Sequence, residues 1–533
     1  MNRTEIKRKQ ASAVTIALAF VNLILFSGIT GYNGVTYLSV ALYLYLFIDI
    51  LLNAGSVYTL GRLLKLRYSK GQYRNAEKMK RDVFLSQFIC SVVLCAVIML
   101  TAGIITAKLF QMPLSYMIIM LLMPSIVVET LTLTKAGCLK GDGGDHIVIV
   151  SGYLRQILIC ICNLVFCNML AGYGEKVSGL LGEEAFTSMY GGIGVAISIF
   201  VANLITMFFV LFISAVNKRK RRDDADGMRT THSFVDNLKV FDENRLFFTV
   251  IVLIAFLTWP LSLIFLRKSY IGSADMITDY GVYLAAFCGL FGMLIALIQS
   301  VLIPVCGRCL TNLRKDEQRF ARNMLQNGVH IGGVHAIFFA TFLFVSSHRF
   351  ASVFFHTQEA LAGKMFKSGS FVIFFATLAF YFAEFLIQTG KKIAVLITTI
   401  ISDICFILLL TVLMNKSDMG IMALVYSALL GFAVEGIVLG VFTFNKIRIS
   451  FDWMQVIVLP VFVSCLVGLM NYFIDKLFTP HLGQNLTLFI CFVLSLSFYW
   501  VGLLLLHNFR LQDLEGVPGG KFIAAIGQML HVI

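Results

Sequence analysis

An all-α polytopic membrane bundle of about fourteen transmembrane helices is the fold class this sequence predicts, and three observations predict it. Of its 533 residues, 58% are apolar and only 14% charged, with a mean hydropathy of +0.85, a balance far outside that of soluble domains. Runs of about 20 apolar residues, the length that crosses roughly 30 Å of hydrocarbon, recur along almost the whole chain with short connections between them. They are too long and too continuously apolar for barrel strands. Lipid offers backbone groups no partners, so each run must be a helix closed on its own hydrogen bonds.

The predicted spans cover residues 11 to 31, 36 to 60, 83 to 106, 115 to 134, 146 to 171, 191 to 216, 246 to 266, 279 to 304, 325 to 346, 370 to 388, 393 to 414, 419 to 443, 453 to 473 and 485 to 507. The first follows Arg3, Lys7, Arg8 and Lys9 and superficially resembles a secretory signal. It is read as a retained helix, because its apolar run exceeds a signal core and a second span follows without a small-residue cleavage site. With the N-terminus cytoplasmic, the inside segments hold 33 Lys and Arg and the outside loops 9, with Arg155 alone inside a span. That asymmetry places both termini on the cytoplasmic side. It also explains the net charge of +14 without nucleic acid, since clusters such as Lys218 to Arg222 stand just beyond a helix end, where anionic headgroups favour them. The expected location is the cytoplasmic membrane.

The longest inside connection divides six spans from the next six. The sequence therefore reads as a first lobe over 1–222, a charged linker over 223–245 with Asp223, Asp224 and Asp226, a second lobe over 246–445, two further helices over 446–508 and a cytoplasmic tail over 509–533. Transporters are often built from such duplicated bundles. Glycine-marked junctions repeat between the halves: Gly192-Ile193-Gly194 opens the sixth span and Gly420-Ile421-Met422 the twelfth. Leu139-Lys140-Gly141-Asp142 joins spans four and five, as Thr389-Gly390-Lys391-Lys392 joins ten and eleven.

Three stretches resemble the polysaccharide flippase branch of the multidrug/oligosaccharidyl-lipid/polysaccharide (MOP) exporter superfamily. They are Lys140-Gly141 with Ser151-Gly152-Tyr153-Leu154-Arg155-Gln156-Ile157, the stretch from Gln388-Thr389-Gly390-Lys391 through Asp403 to Met419-Gly420-Ile421, and the tail Asp513-Leu514-Glu515-Gly516-Val517-Pro518-Gly519-Gly520. The branch includes O-antigen and exopolysaccharide flippases, the lipid II flippase and the stage V sporulation protein B group. The resemblance implies two six-helix, MATE-like lobes around a central cavity open alternately to either side, with helices thirteen and fourteen appended. It further implies an undecaprenyl-diphosphate-linked saccharide as cargo, membrane lipids and polysaccharide assembly enzymes as partners, and a monomer. The first span, 11 to 31, carries no charged residue, a departure from the lipid II flippase, whose cavity arginines include one there.

An ionisable group at mid-bilayer costs about 2.5–3.5 kcal/mol on insertion scales, so each needs a partner or water. Asp49, Asn53 and Ser56 share one face of the second span, and Thr377, Tyr381, Glu384 and Gln388 draw a stripe down the tenth. The fifth span carries Arg155 and Gln156, the latter on one face with Asn163. The eleventh carries Thr399 and Asp403, the twelfth Ser427, Gly431 and Glu435. As a substrate cavity, Asp49, Asn53, Arg155, Gln156, Asn163, Tyr381, Glu384 and Gln388 would present polar groups to the cargo, with the Arg155 guanidinium on a diphosphate. Asp403, Thr399 and Glu435 are the candidate ligands of a coupling Na+ or H+. The competing reading makes Arg155 a structural partner of Asp49 or Glu384, and lets Glu384, Arg155 and Glu435 snorkel from nearby helix ends.

Other motifs carry less. Cys306-Gly307-Arg308-Cys309 lacks the strand and helix context of a redox motif. Asn485-Leu486-Thr487 abuts a span, the nine histidines show no metal-ligand spacing, and no Walker A loop is present. Twelve cysteines lie mostly within apolar runs, which argues against a disulfide framework. The outside segment 347–369 is amphipathic and is expected along the membrane surface. No cofactor and no enzymatic activity are expected. Two alternatives stand beside the flippase. A multidrug cation antiporter would have twelve spans and an acid on the first. A polytopic glycosyltransferase or polymerase would carry a large acidic catalytic loop, whereas 347–369 has only Glu359 as an acid.

Overall fold

The computed structural model describes residues 3–218, 232–269, 275–416, 419–447, 452–509, 514 and 520–529. The basic run 219–222, the acids Asp223, Asp224 and Asp226, and tail residues 513 and 515–519 lie outside the described residues. Every regular element among the described residues is a helix, as the lipid solvent demands. The chain is a multi-pass membrane protein.

In order, the helices are α1 (Arg3–Asn53), α2 (Ser56–Ser69), α3 (Tyr73–Ile104), α4 (Ser115–Gly141), α5 (Asp145–Leu181), α6 (Ala185–Lys218), α7 (Phe234–Ser269), α8 (Asp275–Val282) and α9 (Leu290–Arg314). They continue with α10 (Gln318–Val345), α11 (Ser347–Phe354), α12 (Glu359–Gly369), α13 (Val372–Gln388), α14 (Lys392–Lys416), α15 (Met422–Ile447), α16 (Leu459–Leu505) and α17 (Gly520–Met529). Single π-helical stretches, Ile105–Leu109, Tyr283–Gly289 and Met454–Val458, extend α3, join α8 to α9 and lead into α16.

Twelve of these helices are long and apolar enough to cross a membrane, and the pair His356–Gly369 with Val372–Gln388, bent by 54°, makes a thirteenth. Gly31 (φ 70°, ψ 174°) breaks the long first helix in two, which brings the described residues to fourteen spans. Gly483 (φ 74°, ψ 168°) breaks α16 in the same way. A positive φ with extended ψ is open essentially to glycine alone. Both connections are therefore made by one residue rather than by the four or more that the predicted loops allowed.

The chain forms two compact units, Val21–Gly281 and Met1–Phe20 with Val282–Ile533. The seventh span, expected in the second lobe, falls in the first unit. The reason is visible at its start, where the segment from Phe234 is helix rather than linker. Phe241, 1% exposed, is buried in one cluster with Leu60, Leu63 and Leu64 of α2, Ala76, Met79 and Val83 of α3 and Cys138 of α4. Polar bonds tie down the same turns. The Arg67 guanidinium donates to the Asn237 side-chain oxygen at 2.8 Å, and the Asn237 amide donates to Asp82 at 2.7 Å. In the second unit, stacked and tilted rings run from Tyr283 through Phe287 and Phe291 to Phe366 of α12. The amphipathic segment 347–369 is thus folded into α11 and α12, with Phe355 and Phe366 buried.

Candidate functional site

The first unit gathers a polar cluster from four helices. Along α1, Tyr45, Asp49 and Asn53 recur every four residues and so share a face. α1 ends at Asn53; Gly55 takes φ 72° and α2 resumes at Ser56, an interruption within the predicted second span. The carbonyls it frees are taken up by α7: the Arg245 guanidinium donates to the Leu52 carbonyl, and the Thr249 hydroxyl to that of Ala54 at 3.3 Å. Irregular backbone at membrane depth is tolerated where protein covers it in this way.

Beside this interruption, the Asn53 amide donates to Asp49 at 2.8 Å and to the Thr130 hydroxyl of α4 at 3.0 Å. One residue earlier on α4, Glu129 pairs with Arg155 of α5, Nη1 to Oε1, at 2.6 Å. Its second carboxylate oxygen accepts from the Tyr45 hydroxyl. Arg155 Nε donates to Asn203 of α6 at 2.6 Å, and the Asn203 amide reaches back to the Tyr45 hydroxyl and the Ser125 carbonyl, both at 3.3 Å. Asp49, Asn53 and Thr130 thus form one hydrogen-bonded group, and Glu129, Arg155, Tyr45 and Asn203 a second beside it. Glu129 is 7% exposed and Arg155 32%.

The ion pair of Arg155 is thus with Glu129, not with Asp49, which bonds Asn53 instead. Gln156 hydrogen-bonds the Cys160 thiol one turn on. Asn163, buried, donates to Asn22 of α1 at 2.9 Å. Neither bonds the Glu129–Arg155 pair. Glu129, Thr130, Asn203 and Tyr45 were not singled out from the sequence. For Glu129 the signal was there: an acid inside the run 115 to 134 is a functional candidate by default.

In the second unit the polar residues form two separate groups. On α13, Gln388 donates to Glu384 at 3.3 Å. Tyr381 and Thr377 lie deeper in the bundle, with Tyr381 1% exposed. Gly328 of α10 leaves the space that the Tyr381 ring and hydroxyl fill, and the hydroxyl has no hydrogen-bond partner among the described residues. The second group joins α14 to α15. Thr399 donates to Glu435 at 3.1 Å, Ser402 donates to the Gly431 carbonyl at 2.8 Å, and Asp403 is near enough for its charge to act on Glu435. Cys306 and Cys309 are both buried on α9, with no disulfide between them. Among the described residues no cluster of His, Cys, Asp and Glu could hold a metal ion.

No family model matches the sequence, and no curated protein matches it. Solved structures match the fold. The lipid II flippase MurJ, in an inward closed conformation, superposes with a TM-score of 0.65 at 13% identity, over 93% of this chain and 98% of its own. An inward-facing multidrug resistance MATE family transporter of the MOP superfamily gives 0.55 at 14% identity, over 84% of this chain and 95% of its own. The eukaryotic MATE transporter AtDTX14 gives 0.57 at 14%, over 86% and 97%. At these identities the likeness is one of fold: the chain has a MATE- and MurJ-like helical architecture.

Proposed function

We propose that this chain carries an undecaprenyl-diphosphate-linked saccharide across the cytoplasmic membrane, exposing its binding site to each side in turn and drawing on a proton or sodium gradient. One observation carries the reading. The match to a lipid II flippase takes in 93% of the chain, against 84% for the MATE transporter. The lipid II flippase also superposes with the higher TM-score, 0.65 against 0.55. The polar cluster of the first unit supports it chemically. A guanidinium suits phosphate oxygens, and Arg155 keeps an open side while Glu129 and Asn203 hold it in place.

The test is reconstitution in liposomes carrying a fluorescent undecaprenyl-diphosphate-linked saccharide, with accessibility to an external quencher followed over time. The wild type is expected to move the label across, and Arg155→Ala to slow it at least tenfold at equal protein level. Movement at the protein-free rate would sink the proposal. Efflux of organic cations by the same vesicles would support drug export, the reading that the MATE likeness favours.

A further inference from the structure

We infer that the saccharide of the cargo begins with an uncharged sugar, and that Asn22 and Asn163 form the subsite that holds it while Arg155 holds the diphosphate. The inference rests on the proposed cargo class and deepens it.

Asn163 is 2% exposed, and its side-chain nitrogen donates to the Asn22 oxygen at 2.9 Å. That single bond leaves two polar groups over. The Asn163 oxygen is buried with no hydrogen-bond partner among the described residues. The Asn22 nitrogen, on a half-buried side chain of the first span, makes no bond among them either. Turning both amides over leaves the same remainder, one donor and one acceptor. A clasp between helices needs only the bond already made and gives no reason for a buried acceptor left unpaired, which is costly to keep. An anion would ask for donors alone and a cation for acceptors alone. A neutral sugar satisfies both ends, because each hydroxyl donates and accepts.

The surroundings and the spacing agree with a neutral sugar. The first span, 11 to 31, carries no charged residue, and α5 carries none between Arg155 and Glu175. A carboxylate placed here would be an uncompensated charge at membrane depth. Arg155 and Asn163 stand on one unbroken helix, about 12 Å apart along its axis and about 80° around it. Ile159, midway between them, is buried, so both residues belong to the side of α5 that meets the bundle. A diphosphate seated on the guanidinium therefore sets the sugar it carries beside the two amides. The charge-free first span is then a feature of specificity.

The test is calorimetric titration of the purified protein with three esters of farnesyl diphosphate, capped by methyl, by N-acetylglucosamine and by glucuronic acid. The first two carry the same charge, so their difference reports the sugar alone. The wild type should bind the N-acetylglucosamine ester about tenfold more tightly than the methyl ester, as two added hydrogen bonds allow. It should bind the glucuronic ester no more tightly than the methyl one. Asn22→Ala should keep the wild-type affinity for the methyl ester and lose most of the preference for N-acetylglucosamine. Should Asn22→Ala fail to fold, the wild-type ranking of the three esters decides the matter alone. Equal affinity of the wild type for the methyl and N-acetylglucosamine esters, tighter binding of the glucuronic ester than of the methyl one, or a preference that survives Asn22→Ala would overturn this inference and leave the flippase reading intact. Failure to bind any of the three would overturn both.

Discussion

The α5–α6 hairpin is held at a spacing that only glycine permits, and Gly194→Ala measures what that spacing is worth. A Cβ at Gly194 would stand 2.7 Å from both the Cys167 Cα and the Phe166 carbonyl oxygen of α5. The obstacle is backbone, so no rotamer change can relieve it. Carbon atoms are at their best about 3.5–4.0 Å apart, so the helices must part by roughly 1 Å. Overpacking of this kind costs about 1–3 kcal/mol, and small residues at helix contacts are the main source of close packing in lipid. The consequence reaches the site, because Arg155 and Asn203 belong to the same two helices. A rigid 1 Å parting stretches their 2.6 Å bond to about 3.6 Å, beyond hydrogen-bonding range. Gly174 repeats the geometry from the other side, where a Cβ would lie 2.8 Å from the Thr187 Cα of α6. Since one parting relieves both contacts, Gly174→Ala with Gly194→Ala should cost less than the two singles added together. The assay is thermal unfolding in detergent, where about 2–4 °C is lost per kcal/mol in a unit of 150–250 residues. An unchanged melting temperature for Gly194→Ala, or strict additivity in the double variant, would refute the reasoning.

Three further outcomes are expected. Asn237→Ala removes the side chain that bridges Arg67 and Asp82; leaving buried groups unpaired costs about 1–3 kcal/mol, so limited proteolysis should cut residues 232–245 several-fold faster than in the wild type. Tyr381→Phe removes a buried hydroxyl that has no partner among the described residues; it should be neutral or slightly stabilising in a melt, and a loss of transport with an unchanged melt would show that the hydroxyl serves cargo. The 33-to-9 distribution of Lys and Arg predicts that green fluorescent protein fused after Ile533 fluoresces and alkaline phosphatase there is inactive, with the reverse for fusions in the segment 347–369.

The spans were legible because each is a long local signal. Fourteen apolar runs became helical spans, and the amphipathic segment 347–369 became α11 and α12. What periodicity could not show were the single-residue decisions. Gly31 and Gly483 turn the chain through a backbone conformation that leaves no trace in hydropathy. The seventh span reads as part of the second lobe because its start carries charge, as a linker does, yet that start places Phe241 and Asn237 on α2 and α3. In the site, Asp49 with Asn53 was legible because both residues stand on one helix, four apart. The Glu129–Arg155–Asn203 set was not, because its three members lie on three helices and no spacing along the chain relates them. Glu129 itself escaped notice in a span weighed by its apolar residues.

The two units handle their buried polar groups in opposite ways, and the contrast bears on which residues belong to function. Tyr381 is enclosed against a glycine with its hydroxyl unsatisfied; its large apolar body fills a gap in the α9, α10 and α13 packing, so shape accounts for its presence. Arg155 has the reverse character. A guanidinium serving only to neutralise Glu129 would gain from full enclosure, where the attraction is strongest, and would need no open side. Instead Nη1 and Nε are fixed by Glu129 and Asn203 while about a third of the side chain stays accessible. Holding a cation by its inner donors and leaving its outer edge open is an arrangement for meeting a second anion, since the fixed donors remove the rotamer entropy that binding would otherwise cost. The competing account, a purely structural Glu129–Arg155 pair, makes a different demand. It requires that the double exchange Glu129→Gln with Arg155→Met, which fills much the same volume without charge, leave transport and melting temperature as they were. On the binding account the melt survives that exchange and transport does not.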